Sequence, residues 1–117
     1  MRPLAIVDCP AEAELVAGAH FGPVFAVVPV EGLSHALRVH AQHRHRLATS
    51  VYTRSARRLS RDAGFIGSLG SGVVTFNETV TPTGHPGATI AGHGASGWGA
   101  TRGEAGLLGL TRPLTVS

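Results

Sequence analysis

Six residues of the sequence, Gly92–Gly97, match the spacing G-x-G-x-x-G that some proteins use to bind the phosphates of a dinucleotide. That use requires a strand directly before the first glycine and a helix after the last, because N–H groups at the start of the helix hold the phosphates. The preceding segment, residues 86–91, does not have the pattern of a strand. The spacing alone therefore indicates a glycine loop that packs closely against neighbouring groups.

Three histidines, His40, His43 and His45, form a local cluster that could bind a metal ion. His40 and His43 are three residues apart, a spacing that can place two imidazoles on one ion when the segment is helical. No carboxylate lies in the cluster, and Arg44 and Arg46 would repel a cation. We therefore expect solvated histidines at the end of a helix, and we assign no metal ligand.

Cys9, the one cysteine of the chain, and Ser96 are the two nucleophiles that we considered. A reactive thiol needs a neighbouring base, a cation or a helix N-terminus. The neighbour of Cys9 is Asp8, whose negative charge disfavours a thiolate. We therefore expect Cys9 to be a buried or half-buried structural residue. Ser96 lacks the spacing of a nucleophile elbow, so we assign no catalytic residue.

The composition bounds the class of protein. The 117 residues predict a single domain, residues 1–117, and the 43% of hydrophobic residues are enough for a core. All ten basic residues are arginine and the net charge is only +3, so we do not expect a nucleic-acid partner. No apolar segment is long enough for a membrane span, and no signal peptide is evident. We therefore expect a cytoplasmic protein.

Short apolar segments alternate with amphipathic ones along the chain, which predicts an α/β fold with a partial parallel sheet and flanking helices. The predicted strands are Leu4–Val7, Val24–Val30, Leu47–Thr53, Gly72–Asn77 and Leu114–Val116. The predicted helices are Ala11–Ala19 (or an irregular turn), His35–His43, Ala56–Leu69 and Glu104–Leu110.

Three finer predictions concern burial, capping and loops. The continuous apolar run Val24–Val30 predicts a strand buried on both faces. Ser34 is the predicted N-cap of the helix that follows, and Thr53 or Ser55 is the predicted cap of the Ala56–Leu69 helix. A long loop is predicted between Glu78 and Gly99, which is rich in glycine, threonine, histidine and proline.

Five motifs, taken in order, resemble one family, the aldehyde dehydrogenases. Each motif alone is a weak indication of the family, but the five occur in the right order and at fitting spacing. Together they cover nearly the whole chain, from about Leu4 to Ser117. The family's motifs are F-G-P-V before a buried strand, the strand G-L-A-A-S-V-F-T, the strand G-x-V-x-I-N, the loop G-G-x-x-x-S-G-x-G, and a closing helix and strand. Their counterparts here are Phe21–Val24, Leu47–Thr53, Gly72–Asn77, Ala91–Gly99, and Gly106–Leu108 with Thr111 and Leu114–Val116.

The resemblance implies the C-terminal part of an aldehyde dehydrogenase catalytic domain. Members of this family oxidise an aldehyde to a carboxylic acid with NAD or NADP, through a covalent thiohemiacetal on a cysteine and a glutamate that activates water. That cysteine, that glutamate and the dinucleotide-binding domain lie upstream of the matching motifs, and Cys9 does not match the nucleophile. We therefore expect that this chain alone does not bind the cofactor.

Residue by residue, Phe21 matches the aromatic that packs beside the nicotinamide end of the cofactor, and it is the one cofactor-binding residue assigned. Ala19 replaces the glutamate that bonds the nicotinamide ribose, and Ile90 replaces a phenylalanine that lines the substrate tunnel in many members. His45-Arg46 replaces Tyr-Gly before the Leu47 strand. Asn77 and the pair Ser96-Gly97 match the family, where we expect them to shape the backbone around the site.

The resemblance predicts that the chain is an aldehyde-dehydrogenase-like piece that is inactive by itself. It would be either a truncated product or one half of a split enzyme. Its expected partners are further copies of itself or a complementing N-terminal chain, because this region contributes to subunit contacts in the family. The alternative is an oligomerisation or binding module that kept the fold and lost the chemistry. An independent enzyme that uses the histidine-rich helix is the last hypothesis.

Overall fold

The computed structural model describes residues 2–18, 20–79 and 84–117, and it has the α/β character that the alternating pattern predicts. The chain divides into two compact units, Met1–His45 and Arg46–Ser117. Each unit holds a two-stranded parallel sheet, and the second also holds a two-stranded antiparallel sheet. Within the described residues, no helix is long and apolar enough to cross a lipid bilayer.

The first unit joins two parallel strands through a short helix and then adds a longer helix. Its elements are β1 (Leu4–Ile6), α1 (Glu14–Ala17), β2 (Val24–Ala26) and α2 (Leu33–Gln42). Cys9, Val16 and Val39 are buried together and form the core. One residue comes from the loop after β1 and one from each helix, so the core fixes both helices on the same face of the sheet.

The second strand, β2, is not buried on both faces as its apolar run predicts. Phe25 is 59% exposed and Val27 is 45% exposed, whereas Ala26 and Val28 pack against the core. Side chains of a strand alternate between its two faces, and the described residues of this unit cover only one of them. An apolar face of the sheet is therefore left open to solvent.

Helix α2 begins earlier than predicted. Gly32 is its N-cap and no side chain caps the helix, so Ser34 lies inside the first turn and the predicted cap is wrong. Ala36 donates to the carbonyl of Gly32, which completes the first turn without a hydroxyl group. The helix ends at Gln42, because His43 has an extended backbone.

The second unit contains a parallel strand pair with two helices between the strands, followed by a hairpin and a last helix. Its elements are β3 (Ala48–Val51), α3 (Ala56–Leu59), α4 (Ala63–Leu69), β4 (Val73–Phe76), β5 (Ile90–Ala91), β6 (Ala100–Thr101) and α5 (Gly103–Leu108). The predicted positions of β3 and β4 are confirmed, and the two strands pair in parallel over four residues each.

The single helix predicted over Ala56–Leu69 is broken into α3 and α4. Asp62 causes the break, because its Oδ1 accepts a hydrogen bond of 2.9 Å from the backbone N–H of Phe65 and caps a new helix. An aspartate satisfies the free N–H groups of a helix start better than it continues a helix. Ser55 does occupy the N-cap position of α3, but its side chain makes no capping bond. Gly70, with φ of 56°, ends α4.

Two predictions for the last third of the chain are corrected. The predicted loop from Glu78 to Gly99 contains β5, which pairs antiparallel with β6, a strand that the sequence pattern did not indicate. The predicted last strand, Leu114–Val116, is not a strand in the structure, and Leu114 and Val116 are exposed. A two-residue strand such as β5 depends on its hairpin partner and has no periodicity of its own.

Candidate functional site

Phe21, the predicted cofactor contact, lies in the first unit just before β2. Gly22 and Pro23 turn the chain into the strand, and two backbone bonds of 2.8 Å hold the turn, from Val24 to Gly22 and from Leu4 to Pro23. Phe21 itself is fully exposed, at 106% of its reference surface. The strand thus fixes the position of the backbone while the aromatic ring stays available to a ligand.

An open cleft of about 330 Å³ runs beside this ring. Its walls include Leu4 and Leu15, together with His20 from the same turn. The cleft offers an apolar floor and an exposed aromatic face, an arrangement on which a flat ring can stack. Ala19, which replaces the family's glutamate two residues before Phe21, lies outside the described residues; its methyl group has no hydrogen-bond acceptor.

Asn77 clamps the ends of β3 and β4 together in the second unit. Its Oδ1 accepts from the backbone N–H of Thr53 at 2.7 Å, and its Nδ2 donates to the carbonyl of Thr53 at 3.0 Å. Its own backbone N–H donates to Val51 at 2.9 Å. Asn77 has φ of 56°, a conformation that asparagine adopts more easily than most residues. The side chain therefore shapes the backbone beyond both strands.

The glycine segment Gly92–Gly97 forms the loop of the β5–β6 hairpin. A short strand, β5, does lie directly before Gly92, so the prediction that residues 86–91 contain no strand is wrong. A second strand follows the loop where a dinucleotide fingerprint needs a helix, so the structure still agrees with a close-packed loop. The loop is tied to Arg46, whose N–H donates to His93 at 3.3 Å and whose carbonyl accepts from His93 at 3.2 Å. Arg46 therefore positions the hairpin through its backbone.

Gly72, directly before β4, allows the hairpin to approach closely. A Cβ atom built on Gly72 would lie 1.7 Å from the carbonyl oxygen of Ala91. A second close contact is found within the loop, where a Cβ on Gly92 would lie 2.4 Å from the carbonyl oxygen of Ser96. Only glycine fits at these two points, and sequence reasoning did not single out Gly72 for this role. Ile90, beside Ala91, is half-buried on β5.

Hydroxyl pairs link β3 to β4 and to the residues just before β4, and sequence reasoning missed them. Ser50 and Thr75 are opposite each other in register and their hydroxyl oxygens are 2.9 Å apart. Thr75 is buried and donates its hydrogen to the carbonyl of Glu78. Because a hydroxyl has one hydrogen, Ser50 must donate to Thr75. Thr49 and Ser71 make a second pair at 2.6 Å.

Cys9 is buried, as predicted, with 5% of its surface exposed. Its backbone N–H donates to Val27 at 3.0 Å, and its side chain packs in the core with Val16 and Val39. A substrate carbonyl could reach the sulfur only if this core opened. Cys9 is therefore a structural residue in the described chain and has no access to an aldehyde.

The histidine cluster has two neighbouring members. The rings of His40 and His43 have centroids 6.2 Å apart, and both line an apolar groove of about 420 Å³. They are half-buried, so the expectation of fully solvated side chains is too simple. His45 is exposed. Among the described residues, no three histidine, cysteine, aspartate or glutamate side chains come close enough to hold a metal ion.

Comparisons of the sequence with known proteins identify one family. The model of the aldehyde dehydrogenase family matches residues 1–116. Aldehyde dehydrogenase LUC3 from a Fusarium species is 29% identical over 116 residues, which are 99% of this chain and 24% of that protein. The chain therefore spans about a quarter of the length of the curated relative that it matches.

Solved structures show the same fold. A putative aldehyde dehydrogenase from Burkholderia cenocepacia superposes with a TM-score of 0.80 and 26% identity, over 92% of this chain and 22% of the other. Betaine aldehyde dehydrogenase from Staphylococcus aureus, solved with NAD+, gives a TM-score of 0.73 and 25% identity, over 88% of this chain and 19% of the other. Both comparisons place the described elements in one known architecture.

Proposed function

The chain belongs to the aldehyde dehydrogenase family, and we propose from this premise that it supplies the C-terminal part of an aldehyde-oxidising catalytic domain. The complete enzyme would oxidise an aldehyde to a carboxylic acid with NAD or NADP. The observation that carries the proposal is the fully exposed ring of Phe21 beside an open apolar cleft, at the start of a turn that the family match includes. Residues 1–117 by themselves would not complete the reaction.

The residues present fit the nicotinamide end of the cofactor in part. The ring of Phe21 offers an apolar face for stacking, and Leu4 and Leu15 would add apolar contacts from the wall of the same cleft. When bound, the dinucleotide supplies the hydride acceptor. Ala19 cannot accept a hydrogen bond from a ribose hydroxyl, so the ribose would be held less firmly than where a glutamate is present.

Two features support the lack of activity in the isolated chain. The sequence has one cysteine, and its sulfur is buried in the core of the first unit. The one glycine segment with dinucleotide spacing forms a hairpin loop. Neither the nucleophile nor the phosphate site would therefore come from these residues, and both must come from another polypeptide segment.

An exposed apolar face of the first sheet supports a partner for the chain. Phe25 is 59% exposed and Val27 is 45% exposed on the face opposite the core. The two strands of the first sheet are parallel, and parallel sheets occur almost only with both faces covered. We propose that further copies of the chain, or a complementing N-terminal chain, cover this surface.

A cytoplasmic location stays a prediction, in line with a single cysteine that has no partner for a disulfide within the chain.

The purified chain is expected to self-associate through the open face of the first sheet, which carries Phe25 of β2 and Val27 directly after it. In the double variant Phe25→Thr/Val27→Thr we expect self-association at least about ten-fold weaker, since two apolar side chains contribute well over about 1.4 kcal/mol when buried. Multi-angle light scattering over a dilution series measures the change.

The matched control is Trp98→Thr, which removes an exposed aromatic side chain of the second unit, outside the sheet face. This variant should associate like the original chain. A monomer at all concentrations, with a high melting temperature, would contradict the proposal that the surface needs a partner. A stable defined oligomer that neither binds a dinucleotide nor complements an N-terminal portion would favour the binding-module alternative.

A further inference from the structure

Four arginines lie within eight residues around α3, at Arg54, Arg57, Arg58 and Arg61. All four are exposed, and within the described residues no carboxylate pairs with their guanidinium groups. The nearest acidic residue along the chain, Asp62, already accepts the hydrogen bond that caps α4. The segment is therefore a concentration of positive charge in which four arginines face a single acidic neighbour, Asp62.

Ser60 lies among these arginines with an exposed and weakly held hydroxyl group. Its Oγ is 3.4 Å from the carbonyl oxygen of Arg57, which is longer than a normal O–H···O bond of about 2.5–3.0 Å. By contrast, Ser68 donates to Phe65 at 2.6 Å. Releasing the Ser60 hydroxyl from its present contact therefore costs little.

The backbone around Ser60 can also be rearranged easily. Helix α3 has only four residues and no side-chain cap, and Ser60 is its C-cap. Such short helices are marginal without tertiary packing, and exposed segments with few buried contacts open at low cost. An enzyme that needs an extended substrate segment could therefore draw residues 57–60 into its own site.

We propose that Ser60 is a phosphorylation site for a serine kinase of the basophilic class. Such kinases read positive charges before the acceptor with acidic subsites of their own. Ser60 is the only hydroxyl-bearing residue of the sequence that has arginines both two and three residues before it, Arg58 and Arg57. Thr49 and Thr115 each have one, three residues before.

The reaction transfers the γ-phosphoryl group of ATP to the Oγ of Ser60. The new O–P bond forms as the bond from the γ-phosphorus to the bridging oxygen breaks, ADP leaves, and the hydroxyl proton passes to the kinase carboxylate. The product phosphate carries about −1.5 to −2 charges at pH 7. It lies three residues after Arg57 and next to Arg61 in the sequence, and guanidinium groups form charge-assisted hydrogen bonds with phosphate.

The test is phosphate transfer from labelled ATP to the full 117-residue chain by a purified basophilic serine kinase, with the site located by peptide fragmentation. We expect one phosphate per chain, on Ser60, and near-complete loss of transfer in Ser60→Ala. The double variant Arg57→Gln/Arg58→Gln should lower kcat/KM at least about ten-fold, since two charge-assisted contacts are lost.

Two matched controls keep the result specific. Ser55→Ala removes another exposed hydroxyl of the same segment, and Thr115→Ala removes a hydroxyl preceded by one arginine, so both should accept phosphate like the original chain. Circular dichroism of each variant checks that the fold is unchanged. No transfer to the original chain, or transfer that persists in Ser60→Ala, would overturn the assignment.

Discussion

Replacing Gly72 by alanine is expected to destabilise the second unit by about 3 kcal/mol, the upper end of the usual cost of overpacking. The new Cβ would lie 1.7 Å from the carbonyl oxygen of Ala91. The atom it meets belongs to the backbone of β5, so no side chain can rotate away. Either the hairpin must leave β4 or the strand must shift. Urea unfolding followed by circular dichroism measures the loss.

Gly67→Ala is the matched control, because it makes the same chemical change in the same unit. A Cβ on Gly67 meets no heavy atom within 4 Å, and the residue lies inside helix α4. Alanine should stabilise this helix by up to about 1 kcal/mol. If Gly72→Ala unfolded at the same urea concentration as the original chain, the close approach of the hairpin to β4 would be wrong.

Replacing Asn77 by alanine should have the second-largest effect, a loss of about 2–3 kcal/mol. Two hydrogen bonds to Thr53, of 2.7 and 3.0 Å, disappear, at about 1 kcal/mol each. Alanine is also disfavoured at φ of 56°. The same urea titration measures the result.

Asn77→Gly separates the two contributions. Glycine loses the hydrogen bonds but tolerates positive φ, so it should be about 1 kcal/mol more stable than Asn77→Ala. Equal stability of the alanine variant and the original chain would show that the clamp contributes nothing. A glycine variant less stable than the alanine variant would contradict the role of the backbone conformation.

The alternation of apolar and amphipathic segments was enough to predict the α/β class and the positions of β3 and β4. It could not show the break at Asp62, because the helical pattern of Ala56–Leu69 continues through that residue. The hydrogen bond from Phe65 to Asp62 favours a new helix start over a continuous helix, and the hydrophobic periodicity contains no sign of it. The burial of β2 was overestimated for a different reason. An apolar run indicates that both faces of a strand favour burial, but it does not show whether the same chain provides the residues that cover them.

The candidate functional residues also differ in whether a local sequence pattern could reveal them. Phe21 and Asn77 could be named from motifs, since each has a fixed place in a short segment. The role of Gly72 could not, because its neighbour Ala91 is nineteen positions away in the sequence. The hydroxyl pair of Ser50 and Thr75 also depends on the strand register, which only the pairing of β3 with β4 defines.

The most direct test of the proposed function is the rate of reduced-cofactor formation by the purified 117-residue chain. The chain is mixed with NAD+ or NADP+ and a panel of aldehydes, and absorbance of the reduced nicotinamide is followed. We predict no turnover above background, because the sulfur of Cys9 is buried and no other cysteine is present. Sustained turnover would contradict this prediction: if it were lost in Cys9→Ala, the buried sulfur would be reactive after all, and if it survived Cys9→Ala, these residues would hold catalytic groups that the structure does not assign.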